Sequence, residues 1–388
     1  MAAENERSND LKKRIAFSEY IWDEESDGKQ SGLIDDIDFF KRSDKKTGYA
    51  NIDERQNLYN GFFCIGGGSS IGKTTFVHQM ADQIAGMGTP VLYFALEQTK
   101  AELACKSLAR AFGKEKQSNG ENYREYSSLE IRMGKADEKE LNKIWQQYRK
   151  VAENLYIYEN SDATVEWICK EIDEFISEMK KDNHGGEMLV SPVVCLDYLQ
   201  IVKTEDKRGG SDVSGSYSSI DHVVNTLRKC QMNNNITLIA ICSLNRANYL
   251  APVSFESFRL SGNIEYTADV VWGLQLQVMR EEIFQGDSAT VAKRNKMNEA
   301  KNSIPRKIEL VVLKNRFGSM RESFLFDYFP DRDLFVADGI GPHQEEKLEN
   351  TNDSLREIQA IRNDLRSKLR AARERAREIN AQSDQADA

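Results

Sequence analysis

The chain has 388 residues, 40% of them hydrophobic, enough for one large domain with extensions or for two domains. Its 62 Asp and Glu outnumber its 53 Lys and Arg, for a net charge of −9. That balance excludes a protein that coats nucleic acid with its whole surface, so any such contact must be a local groove or channel. No apolar run approaches the roughly 18 residues a membrane span needs, and "MAAENERSNDLKKRIAF" carries no apolar signal core.

Residues 1–45 are polar and charged, with a short helix expected around Leu11 to Trp22 and nothing from which to build a core. From Gly61 to about Ala337 strand-like and helix-like stretches alternate. The strand-like runs are "FFCI" at 62–65, "VLYFAL" at 91–96, "LYIY" at 155–158, "VVCL" at 193–196, "TLIAIC" at 237–242, "VVWGLQL" at 270–276 and "IELVVL" at 308–313. Helical stretches such as Thr75–Met87 and Val165–Met179 separate most of them. This alternation predicts an α/β fold with a mostly parallel sheet flanked by helices. Residues 279–306 hold few apolar side chains and read as an exposed insertion.

Beyond Gly341 the composition shifts. Ser354-x-x-Glu357 forms a capping box, and Leu355, Ile358, Leu365, Leu369, Ala372, Ala376 and Ile379 fall largely on a helical spacing interrupted by Arg362. A C-terminal helical extension with charged outer faces is expected, solvated or docked on a protein partner. The six cysteines are scattered without a CxxC pair, which reads as reduced thiols in a cytoplasmic protein with neither disulfide nor zinc. The four histidines show no ligand spacing.

"GGSSIGKT", Gly67 to Thr74, fits the phosphate-loop pattern. Its glycines let backbone N–H groups wrap phosphate oxygens, and the helix that follows adds its positive N-terminal end. Lys73 would reach the β- and γ-phosphates of ATP, and the Thr74 hydroxyl would ligate magnesium. The same loop offers Gly67, Gly68, Ser69, Ser70, Gly72 and Thr75 to the nucleotide. Asp197 ends the strand "VVCLD", where a carboxylate can hold the magnesium water shell. Glu97 ends "VLYFALE", where a carboxylate can polarise an attacking water. Lys314 and Arg316, in "LVVLKNRFGSM", stand two residues apart at the end of an apolar run and point the same way in an extended chain.

Taken together, "TGYANID", "GGGSSIGKTTF", "YFALE", "SSLEIRMGK", "VVCLDYLQIV", "AICSLNR", "FRLSGNIEYTADVVW" and "LKNRFG" resemble, in order, the C-terminal motor domain of DnaB-type replicative helicases over roughly residues 47–338. The resemblance implies a RecA-like phosphate-loop NTPase fold, ATP and Mg2+ as cofactors, and a hexameric ring of identical subunits around single-stranded DNA. It implies Glu97 as catalytic base, Thr74 and Asp197 as magnesium contacts, and Lys314 and Arg316 as cations that reach the γ-phosphate of the next subunit. Loops 203–216 and 258–264 match the family's channel-lining loops and offer Lys203, Lys207, Arg208, Arg259 and Gly262 to DNA. Two positions depart from the family: Ser243 stands where a γ-phosphate-sensing glutamine is usual, and Leu260 where an acidic residue often follows the loop arginine. The expected organisation is a polar segment at 1–45 that includes a linker helix, an ATPase domain at 46–340 and a charged helical tail at 341–388. An oligomeric regulatory or defence ATPase without helicase activity is the alternative, and a non-catalytic nucleotide-gated scaffold a third reading.

Overall fold

The structure, a computed structural model, describes residues 37, 44–119, 124–182, 191–205, 216–245, 249–258, 261–285, 289–320 and 322–340. The chain divides into two units, Met1–Gly339 and Ile340–Ala388. The helix expected around Leu11 to Trp22 and the tail at 341–388 lie outside the described residues.

All seven apolar runs are strands: β1 (Phe62–Gly67), β2 (Val91–Ala95), β3 (Leu155–Glu159), β4 (Val193–Asp197), β5 (Thr237–Ser243), β6 (Val270–Leu276) and β7 (Arg306–Asn315). Two further strands, β8 (Ser323–Phe329) and β9 (Leu334–Ile340), complete a sheet in the order β3-β2-β4-β5-β1-β6-β7-β8-β9. The strands from β3 to β6 in that order pair in parallel, while β6–β7 and β7–β8 are antiparallel. The mostly parallel sheet is therefore as expected, and the antiparallel edge is an addition to it.

Every residue of β1, β2 and β4 is buried, because helices cover both faces of the parallel part. Phe63 and Ile65 enter one apolar cluster, and Phe62 and Cys64 the other, as strand alternation requires. The helices are α1 (Ala50–Asp53), α2 (Lys73–Gly86), α3 (Lys100–Asn119), α4 (Ser128–Arg132), α5 (Glu138–Ala152), α6 (Val165–Asp182), α7 (Ser216–Asn234), α8 (Ser261–Thr267), α9 (Glu282–Gln285) and α10 (Thr290–Asn302). On the Phe63 side α2 packs Phe76, Val77, Met80, Ala81, Ile84 and Ala85 against the sheet. Full burial of each larger one contributes about 1.5–3 kcal/mol. On the Phe62 side, Ile168, Ile172 and Ile176 of α6 and Val223, Val224 and Leu227 of α7 do the same. No helix among the described residues is long and apolar enough to cross a membrane.

The "TGYANID" stretch is a brace. The Tyr49 ring stacks on Phe76 at 4.6 Å between centroids, and its hydroxyl donates to the Phe76 carbonyl oxygen at 2.9 Å. Asn51 Nδ2 donates to the carbonyl oxygens of Leu325 at 2.9 Å and Gly339 at 3.0 Å. One short segment thus ties the helix after the phosphate loop to the antiparallel edge. "SSLEIRMGK" opens α4 through a capping box in which Ser127 and Glu130 each satisfy the other's backbone N–H.

The stretch 279–306 is only partly the exposed insertion expected. Helix α10 has no buried residue, but Met279 and Phe284 ahead of it are buried in the core. They act as apolar anchors that hold the stretch against the sheet.

Candidate active site

The phosphate loop leaves the C-terminal end of β1 and runs straight into α2. Gly72, the residue before α2, has φ 99°, and a Cβ there would meet Phe335 Cζ and Tyr328 Cε1 at 2.9 Å. Only glycine suits that backbone and that space. No side chain caps the start of α2, and its first intrahelical amide bond runs from Phe76 to Gly72 at 2.8 Å. Its leading N–H groups are thus available to an anion.

Lys73 donates from Nζ to the Gly68 carbonyl oxygen at 2.9 Å, so its head is folded back over the loop. Burial lowers its pKa, against the opposing pull of the Asp197 and Glu97 carboxylates. Thr74 donates from Oγ1 to Asp197 Oδ1 at 3.3 Å, and the Tyr93 hydroxyl donates to Asp197 Oδ2 at 2.9 Å. Asp197 is 3% exposed, and desolvation pushes its pKa up to about 6 despite those two hydrogen bonds and the charge of Lys73. A desolvated carboxylate beside a threonine hydroxyl and an anion-binding loop is a setting a divalent cation would relieve. Among the described residues no cluster of three or more His, Cys, Asp or Glu could hold a metal alone. The Thr74 hydroxyl and the Asp197 carboxylate are of the oxygen-donor type that Mg2+ takes, commonly one or two protein groups with waters and substrate phosphates.

Glu97 follows β2 at the same sheet end. The neighbouring Leu96 N–H donates to the Asp197 carbonyl oxygen at 3.0 Å, which fixes β2 beside β4 here. Glu97 is exposed, and its charge acts on both Lys73 and Asp197. Next to it, Gln98 Oε1 is buried with no hydrogen-bond partner in the protein, an acceptor suited to an ordered water. Ser243 ends β5 directly opposite Gly67 in the register. Gln200 grips its backbone: Oε1 accepts from the Ser243 N–H at 3.0 Å, and Nε2 donates to its carbonyl oxygen at 3.4 Å. The Thr75 hydroxyl turns inward and donates to Asp333 Oδ1 at 3.1 Å.

The fold therefore gathers Gly67, Gly68, Ser69, Ser70, Gly72, Lys73, Thr74, Glu97, Asp197 and Ser243 at one end of the sheet. Lys314 and Arg316 are not there. Lys314 Nζ donates to the Glu265 carbonyl oxygen at 2.5 Å, and Arg316 pairs through Nη1 with Asp269 Oδ1 at 2.8 Å. The Phe62 N–H donates to Asp269 Oδ2 at 2.9 Å, so the pair sits beside the start of β1. A register break between Val271 and Trp272, opposite Lys314 and Val312, sets this end of β7 off from the rest. A cavity of about 580 Å3 also lies at this end, lined by Arg316, Arg228, Asp269, Tyr59 and Phe317.

Of the channel-lining residues, Lys203 ion-pairs with Asp162. Lys207, Arg208, Arg259 and Leu260 lie outside the described residues, and Gly262 falls in α8. Sequence reasoning missed Tyr93 and Gln200 as partners of Asp197 and Ser243. Gln200 was visible inside "DYLQ" without a role. Tyr93 gave no signal, being one aromatic in an apolar strand. Arg306, which donates from Nη1 to the Ser70 carbonyl oxygen at 2.7 Å, was hidden at the start of β7.

An uncapped helix start, a glycine-bearing loop and a buried carboxylate on a nearby strand end, set on a mostly parallel sheet flanked by helices, are the features of a phosphate-loop fold of the RecA-like class. Residues 45–329 match the DnaB-like helicase C terminal domain, and the chain belongs to that family. Its fold is similar to a solved structure described as an ATPase domain, with 17% identity, TM-score 0.56, and coverage of 78% of this chain and 95% of that one. It is also similar to a structure described as a DnaB-like replicative helicase and its interactions with primase, with 18% identity, TM-score 0.56, and coverage of 80% of this chain and 68% of that one. No curated protein matches the chain.

Proposed function

We propose that this chain is a Mg-dependent ATPase motor that assembles as a ring and translocates on or unwinds DNA. The observation that carries the reading is the separation of its cations from its own nucleotide site. Gly67, the first residue of the loop motif, ends β1, and Phe62, five residues earlier, marks the Arg316 end. At about 3.3 Å per residue the two ends lie roughly 17 Å apart. An arginine side chain does not span that distance, so Arg316 serves a phosphate in another subunit or none. Asp269 faces two guanidiniums, Arg228 and Arg316, with Lys314 close by. Positive charge is left over at this end, as a trans-acting γ-phosphate contact needs.

Within one subunit, Lys73 and the loop amides would bind and orient the phosphates. Thr74 and Asp197 would hold Mg2+, which when bound neutralises phosphate charge. Glu97 would take the proton of the attacking water. Gln200 holds the Ser243 backbone beside Gly67, a path by which hydrolysis could be sensed in the channel loops. Ser243 in place of the usual glutamine favours a second reading, an oligomeric regulatory or defence ATPase without helicase activity. Strand displacement on a forked substrate decides between them, run with DNA-stimulated ATPase and a mass measurement with and without nucleotide. The motor reading expects nucleotide-dependent rings, DNA stimulation and displacement. It also expects Arg259→Ala to lower the DNA-stimulated rate more than the basal one. Rings that hydrolyse ATP without displacing a strand would favour the second reading.

A further inference from the structure

Helix α10 brings a second lysine to the phosphate loop. Lys301 lines a cavity of about 40 Å3 together with Gly68 and Ser69 of the loop and the apolar side chains of Leu276, Met279 and Met297. That volume admits a water or a phosphate oxygen and is too small for a base or a sugar. A Cβ built on Gly68 would meet nothing within 4 Å, so the loop is open on that side.

Lys301 is half-buried, and among the described residues its ammonium has no hydrogen-bonded or ion-paired partner. Burial and the nearby Arg306 charge both lower its pKa, and its own charge in turn acts on Lys73. A partly desolvated cation without a carboxylate, beside an anion-binding loop, lacks its counter-charge.

Its position is set by one guanidinium. Arg306 Nε donates to the Lys301 carbonyl oxygen at 2.9 Å, while Nη1 donates to the Ser70 carbonyl oxygen at 2.7 Å. The Arg306 fork lies over the Tyr328 ring, 5.5 Å from its centroid. A planar, rigid fork thus fixes the spacing between the end of α10 and the phosphate loop.

We propose that Lys301 is a phosphate ligand of the bound nucleoside triphosphate, supplied by the same subunit as the loop and held in place by Arg306. The inference rests on the phosphate loop holding a nucleotide. The site takes its anion without any atom from a neighbour, unlike Lys314 and Arg316.

The test is binding of N-methylanthraniloyl ATP with magnesium to the full chain, read by fluorescence, with Tm measured alongside. Lys301→Met keeps the apolar stem and removes the charge. It is expected to weaken binding roughly ten- to hundredfold, the loss of one charge-assisted hydrogen bond, with Tm unchanged and affinity largely recovered in Lys301→Arg. Lys73→Ala reports on the nucleotide site itself, independently of Lys301. If Lys73→Ala loses binding while Lys301→Met binds as the wild type does, the proposal falls and the nucleotide site stands. If both variants bind normally, the nucleotide reading falls and takes the proposal with it. A loss in Lys301→Met that is matched by a lower Tm would show a packing role for α10 and would also overturn the proposal.

Discussion

The Arg316 guanidinium rests 2.8 Å from Asp269 Oδ1, beside the start of β1, while Lys73 stands beyond the other end of that strand. One chain therefore carries a phosphate loop and a cation pair that cannot meet within it. Arg316→Ala is expected to cut ATP hydrolysis by about 10³ or more, by analogy with arginine fingers, with nucleotide binding preserved. Mixing it with Lys73→Ala should restore part of the activity, because an interface can pair an intact loop with an intact finger. Steady-state ATPase of each variant and of the mixture checks this. Normal activity of Arg316→Ala alone would reduce the pair to a solvated strand end.

Glu97→Gln removes the proposed base and leaves the loop untouched. Hydrolysis should fall by about 10²–10⁴ while ATP affinity stays near the wild-type value. Single-turnover hydrolysis beside equilibrium binding separates the two effects. A normal single-turnover rate would move the base elsewhere.

Asp197 makes the stability of the metal-free protein depend on pH. Its folded pKa of about 6 lies above the ordinary value of 3.8, because burial penalises the carboxylate. Between those values the folded state binds the extra proton, so its contribution to stability falls as pH rises from about 4 to 6 and stays low above. The penalty at pH 7 is of order 2–3 kcal/mol. Asp197→Asn should flatten this part of the profile and raise the Tm of the magnesium-free protein at pH 7. Adding Mg2+ with nucleotide should stabilise the wild type more than the variant. Urea melts across pH 4 to 8 measure both, and parallel wild-type and variant profiles would contradict the assignment.

Gly72→Ala should destabilise the fold and disable the loop together. The added methyl meets Phe335 and Tyr328 at a φ of 99°, a strained combination that costs about 1–3 kcal/mol before any clash is relieved. Gly68→Ala, with nothing within 4 Å of the new methyl, is the matched control for stability. Equal Tm values for the two variants would refute this reading of the loop.

Much of this was legible in the sequence because the signals are local. A short apolar run bounded by polar turns reads as a strand, and seven such runs became seven strands, of which β1, β2 and β4 are buried on both faces. A phosphate loop must carry its glycines, lysine and threonine within a few residues, so Gly67 to Thr74 declared itself. Strands β8 and β9 went unread although Phe324, Phe326 and Tyr328 alternate inward, because a half-buried antiparallel edge leaves a fainter pattern than a fully buried strand.

Distance along the chain hid the rest. Tyr93 meets Asp197 across 104 residues, Gln200 meets Ser243 across 43, and Arg306 meets the Ser70 carbonyl across 236. No local pattern encodes such pairings, since any of these side chains satisfies its own segment equally well facing water. The same holds for Lys314 and Arg316, whose residue types and spacing were plain from the start. Which end of the sheet they occupy depends on β7 running antiparallel to β6, and that direction was decided by the packing of the whole sheet.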